Sequence, residues 1–259
     1  MGLTIHYSLK AQGSDVQAQK LVQALHQCAQ DLPFKEVGAV ALLSGGQCDF
    51  NKRNREDPLH WLLIQAAGSV DVKQSRRAGN GEGSSFSFTV PPTQVIAFTA
   101  LPGKGCEESN FGLCKYPAFM ETSDGPRKTK LSGWRWSSFC KTQYASDPNC
   151  GGLPNFLQSH LTVVALLDKA KELGCLEHVS DEGHFWEKRD LPDLAQRVGS
   201  WNEMLAAFGG CLKDLAGDGV QMPISLFPDF EKLEAAGQDK FPPALAQLAK
   251  LARQVTHAQ

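Results

Sequence analysis

Residues 3–9, Leu-Thr-Ile-His-Tyr-Ser-Leu, decide the fold class. Leu3, Ile5, Tyr7 and Leu9 fall on one side of an extended chain, with Thr4, His6 and Ser8 on the other. That period of two is the mark of an antiparallel strand with one face on a core and one in water. Ser14 or Asp15 can then cap a helix whose Ala18, Leu21, Val22, Leu25, Cys28, Ala29 and Leu32 recur at three-and-four spacing, with Pro33 ending it. Val37 to Leu43, an apolar run before Gly45-Gly46, reads as a second strand.

The same order recurs further on. Trp134 to Tyr144 (WRWSSFCKTQY) has strand composition, residues 155–173 carry an amphipathic helix, and Leu176 to Val179 returns as a strand. No residue-level repeat links the two strand–helix–strand units. Between them, Pro58 to Ile64 fits a short helix or a buried strand, and residues 73–85 read as a polar, Gly-rich loop. Phe86 to Val90 and Gln94 to Ala100 read as strands flanking Pro91-Pro92. Pro102 to Ser132 has few periodic positions and is expected to be a long loop of the kind that often carries function.

From Asp190 onward, Leu191, Leu194, Val198, Trp201, Leu205, Phe208, Leu212 and Leu215 alternate in steps of three and four. This predicts a long helix with Trp201 and Phe208 buried, weakened at Gly209-Gly210. A proline-bearing segment, 217–229, precedes a last helix striped by Phe241, Leu245, Leu248, Ala249, Ala252 and Val255. The sum is an α+β fold: a mixed or antiparallel sheet with helices packed on one face, two strand–helix–strand units and a helical C-terminal extension. The expected division is an α+β domain over 1–216, with halves 1–101 and 131–216 joined by the long loop, and the extension over 217–259.

Composition narrows the function classes. The 259 residues are 42% hydrophobic and 21% charged with net charge −2, which disfavours a disordered chain and a strongly basic nucleic-acid binder. The longest mainly apolar run, Leu161 to Leu167, falls far short of the roughly 20 residues of a membrane span. MGLTIHYSLK lacks the basic start and apolar stretch of a signal peptide, so a cytoplasmic location is expected. The 8 cysteines are scattered without any C-x-x-C pair, so they are expected to be free thiols rather than disulfides or a zinc knuckle.

Chemistry-bearing residues concentrate at Lys141-Thr-Gln-Tyr-Ala145, at His160, and at Asp181-Glu-Gly-His-Phe-Trp186. This pattern, KTQYA, then His, then DEG-x-x-W, resembles a group of uncharacterised bacterial proteins, a likeness that brings no activity with it. Two carboxylates and an imidazole suit a hard divalent ion or acid–base work. His160, Asp181 and Glu182 are therefore the candidate metal ligands and catalytic groups, with Lys141 neutralising a small anionic substrate and Gln143 and Tyr144 contacting a bound group. Turn chemistry accounts equally for Asp181, Glu182 and a solvated His184, and a single hydrogen bond for His160 at a core edge. Cys140 beside Lys141 is a weaker candidate nucleophile with His160 as base.

Three functional readings follow. The first is an enzyme, a metal-assisted hydrolase at these strand ends. The second is a non-catalytic module that engages a protein partner through the C-terminal helices and tryptophans. The third is a nucleic-acid binder using the basic loops at Lys52–Arg55, at Lys73 with Arg76-Arg77, and at Arg127-Lys128 with Lys130, which the balanced charge disfavours.

Overall fold

A computed structural model describes residues 3–73, 85–122, 125–216 and 222–238. Strand β1 (Thr4–Ala11) has the expected alternation, with Ile5, Tyr7 and Leu9 buried and His6 exposed. Helix α1 (Asp15–Asp31) starts at a capping box: Gln17 N donates to Ser14 Oγ and Ser14 N donates to Gln17 Oε1. It ends at Leu32, whose extended backbone is what a following proline requires.

The run expected as one strand over 37–43 is two, β2 (Glu36–Val37) and β3 (Ala41–Ser44). The Gly38 carbonyl between them is taken by the His26 ring of α1, 2.9 Å away. The ambiguous segment is a helix, α2 (Pro58–Ala66), started by Asp57 accepting from Leu59 N with Pro58 in the first turn. A hairpin follows, β4 (Gly68–Lys73) with β5 (Ser85–Val90), then β6 (Gln94–Leu101). The Gly-rich stretch over 74–84 lies outside the described residues.

The expected long loop over 102–132 instead holds β7 (Ser109–Lys115), β8 (Phe119–Thr122) and β9 (Gly125–Lys128). Strand β7 escapes a periodicity reading because both of its faces are covered: Ser109 through Cys114 are all buried. Its polar members are satisfied within the sheet. Ser109 Oγ donates to Ala100 O, and Asn110 accepts from Thr99 Oγ1 while donating to Gln65 Oε1 of α2.

Strand β10 (Trp134–Lys141), helix α3 (Gly152–Glu172) and strand β11 (Leu176–Asp181) form the second unit, followed by α4 (Phe185–Lys188), α5 (Leu191–Ala216) and α6 (Phe230–Gln238). The main sheet runs β11-β1-β10-β7-β6-β2, with β3 also on β6, and every pair in it is antiparallel. Strands β10 and β11 thus point the same way with β1 between them, and α3 makes the crossover. Likewise β1 and β2 point the same way, with α1 carrying the chain to the far edge.

On the inner face, Phe111 stacks on Tyr7 at 4.8 Å and on Phe98 at 5.9 Å, and His26 of α1 meets Phe98 edge-on. Helices α1 and α3 close this core with Val22, Leu25, Val163 and Leu167. Asn110, one residue out of step with Phe111, projects to the other face, where α2 covers β6 and β7. On that outer face α2 reaches only the margin of β10, through Gln65 and Ser138.

Helix α5 buries Leu194, Val198, Leu205 and Ala206, but Trp201 and Phe208 are only half-buried. Trp201 still packs against the cluster of Leu3, Phe156, Leu194 and Val198, but both rings keep part of their surface in solvent. The helix runs unbroken through Gly209-Gly210, where α6 lies against it. The stripe over 241–255 lies outside the described residues. No described helix is long and apolar enough to cross a membrane.

Candidate functional site

Two of the candidate residues meet. His160 and Asp181 are 0% and 4% exposed, and His160 Nε2 lies 3.1 Å from Asp181 Oδ2. A carboxylate can only accept, so Nε2 carries the proton. The other ring nitrogen, Nδ1, lies 2.9 Å from Thr142 Oγ1, the residue after β10. Asp181 also accepts from the backbone: Gly183 N donates to Oδ1 at 2.7 Å and Trp186 N to Oδ2 at 2.9 Å. Burial alone would raise the Asp181 carboxyl, but the His160 hydrogen bond and charge, with the two N–H groups, hold it below the usual carboxylate range. Gly183 is needed for this approach, since a Cβ there would lie 2.6 Å from Leu194 Cδ1 and 3.0 Å from Asp181 Oδ1. The KTQYA–His–DEG-x-x-W pattern is therefore one interlocked unit joining the ends of β10 and β11 to α3 and α4.

The remaining candidates stand elsewhere. Glu182 is exposed, and its Oε2 accepts from Thr4 N at 2.9 Å, tying β11 to the start of β1. Lys141 alternates with the inward Cys140, so it leaves the sheet on the side opposite His160, with its ammonium 4.9 Å from the Tyr144 ring. Gln143 is fully buried, accepting from Leu3 N and donating to Asn202 Oδ1 on α5, while Tyr144 packs beside Leu205, Ile224 and Phe227. His160, Asp181 and Glu182 form no metal-holding group among the described residues. His160 has both ring nitrogens engaged and Glu182 serves a strand end, so neither is presented to an ion. Cys140 is likewise not beside a free base: it is fully buried, its Sγ points at Glu107 O, and burial pushes the thiol well up. His184 is exposed in the left-handed region at φ 57° and ends the turn after Asp181. In the first basic loop, Lys52 pairs with Asp49 and Arg53 with Asp57, which removes most of its positive field.

A different place is open to a ligand. Strands β10 and β7 pair only at Arg135–Cys114 and then separate. The seam is filled by polar groups: Tyr7 OH and Trp136 Nε1 both donate to Asn110 O, and Gln65 Nε2 donates to Ser138 Oγ. Over it lies a groove of about 660 Å³, floored by the outer face of β11, β1 and β10 and walled by the α2–β4 junction, Tyr116 and Leu131.

The register sets its floor. His178, Ser8 and Ser137 are direct partners across three strands, and Ser180, His6 and Phe139 form the next row. Beyond Ser8 the pairing slips from His178 to Leu176, so Glu177 is the extra residue of a β-bulge, and Glu177 and His178 both face out. Bulges re-aim side chains in this way. Glu177 accepts from Ser8 Oγ at 3.4 Å and faces Lys10 Nζ at 3.2 Å and Arg135 at 3.8 Å. Sequence reasoning placed His6 and Ser8 on the polar face of β1 but not the groove, because nothing local states which strands flank β1 or where the bulge falls. No known protein family, curated protein or solved structure matches this chain.

Proposed function

We propose that this protein binds a small organic anion in the groove on the outer face of β11, β1 and β10. One observation carries the reading: Lys10 and Arg135 are direct cross-strand partners at the end of the groove, and among the described residues they share a single carboxylate, Glu177. Like charges placed opposite each other destabilise a sheet. One unit of positive charge is left over beside Ser8 and Ser137, and a carboxylate or phosphate entering there would neutralise it. The cations are partly exposed, so the attraction is screened by salt but not abolished. Metal-assisted hydrolysis by His160, Asp181 and Glu182 lacks comparable support, given how those groups are engaged.

The test is a titration with ribose 5-phosphate, followed through backbone amide NMR shifts. The shifts are expected at Ser8, Ser137 and Arg135, and Arg135→Ala is expected to weaken binding about tenfold, the worth of one charge-assisted hydrogen bond. Shifts confined to other surfaces, or affinity unchanged in Arg135→Ala, would overturn the reading.

A further inference from the structure

The groove floor is ordered along its length as well as charged at one end. On β1 the outward residues are His6, Ser8 and Lys10, and on β10 their direct partners are Phe139, Ser137 and Arg135. The rungs are thus aromatic, hydroxyl and cationic in turn. Phe139 is 44% exposed and its ring centroid lies 5.9 Å from that of His6, forming an uncovered platform. An exposed phenylalanine on a strand face leaves apolar area in water, and such a ring is a stacking surface. From Phe139 to Arg135 the strand rises about 13 Å, four steps of roughly 3.3 Å.

Building on the anion-binding reading above, we infer that the groove takes a nucleoside 5′-monophosphate: base on the His6–Phe139 rung, sugar over Ser8 and Ser137, phosphate at Lys10 and Arg135. Each part of the ligand meets the chemistry that recognises it. A base stacks on aromatic faces whatever its identity, and sugar hydroxyls exchange hydrogen bonds with serine hydroxyls. The phosphate matches the guanidinium fork and brings the negative charge that Glu177 alone does not supply. A ring-bearing acid without a spacer would reach only one end of the 13 Å ladder, so the order of rungs selects a ligand whose ring and anion are held apart by a hydroxylated middle.

Calorimetric titration of the full chain tests this with the four common nucleoside 5′-monophosphates, with ribose 5-phosphate, and with the Phe139→Ala and Arg135→Ala variants. Phe139 projects from the outer face, so its truncation leaves the core intact. At least one nucleoside monophosphate is expected to bind ten times more tightly than ribose 5-phosphate. Phe139→Ala should remove that advantage without altering ribose 5-phosphate binding, and Arg135→Ala should weaken both ligands. If no monophosphate outbinds ribose 5-phosphate, or Phe139→Ala weakens both ligands equally, the inference fails. In that case, ribose 5-phosphate binding that still depends on Arg135 leaves the anion reading standing, whereas no binding by any of these ligands removes both.

Discussion

Asp181 and Glu182 are adjacent carboxylates with opposite structural duties, and removing each in turn separates them. Asp181→Ala strands three donors in a buried place: Gly183 N–H, Trp186 N–H and His160 Nε2–H. Each unpaired group costs about 1–3 kcal/mol, and water reaching the half-buried Trp186 offsets part of this, so the loss is about 4 kcal/mol. For a chain of this size that lowers the melting temperature by about 8–16 °C. Glu182→Ala frees only Thr4 N at the sheet margin and is expected to cost about 1 kcal/mol. Urea unfolding followed by tryptophan fluorescence reads both values. The pH dependence supplies a second check. The Asp181 carboxyl is lowered in the folded state, so its stabilisation is full above the unfolded carboxyl value of about 3.9 and is lost as the pH falls through the lower folded value. The gap between wild type and Asp181→Asn should therefore narrow from pH 5 to pH 2. A cost below 1 kcal/mol for Asp181→Ala, or equal costs at the two positions, would refute a structural role for the His160–Asp181 pair.

Two further outcomes follow from the core. Gly112 is the direct partner of Ala97, and a Cβ on it would overlap Ala97 Cβ and lie 2.5 Å from Ile96 O, so Gly112→Ala should cost about 2–3 kcal/mol in a urea melt, with Ala97→Gly recovering part of it. An unchanged midpoint would show that β6 and β7 are not so closely paired. The described cysteines are all free, with Cys48, Cys114, Cys140 and Cys175 buried and the Cys175 thiol pushed up to about 11 by burial. A disulfide-exchange reagent should leave these four silent in the native protein and count eight thiols after denaturation without reductant, and a lower count would mean that disulfides are present.

Much of the framework could be read locally. The alternation of LTIHYSL, the Ser14 cap, the helix stripe from Ala18 to Leu32 and the helix over 155–173 are short-range consequences of side-chain order, and the structure has the two helices at Asp15–Asp31 and Gly152–Glu172. Strand β7 was not legible, because a strand covered on both faces keeps its Ser, Asn and Gly through long-range hydrogen bonds and close packing rather than through alternation. Trp201 and Phe208, both only half-buried, show the converse: helical periodicity says which residues share a side, not how fully neighbouring elements bury them. The candidate site divides along the same line. That His160 and Asp181 would meet followed from the strand–helix–strand order, whereas which side of the sheet Lys141 and Glu182 serve depended on pleat and register. The groove belongs wholly to tertiary structure. His6, Ser8, Ser137, Phe139 and His178 are unremarkable as residues, and they become neighbours only because β1 lies between β10 and β11, with one bulge turning Glu177 outward.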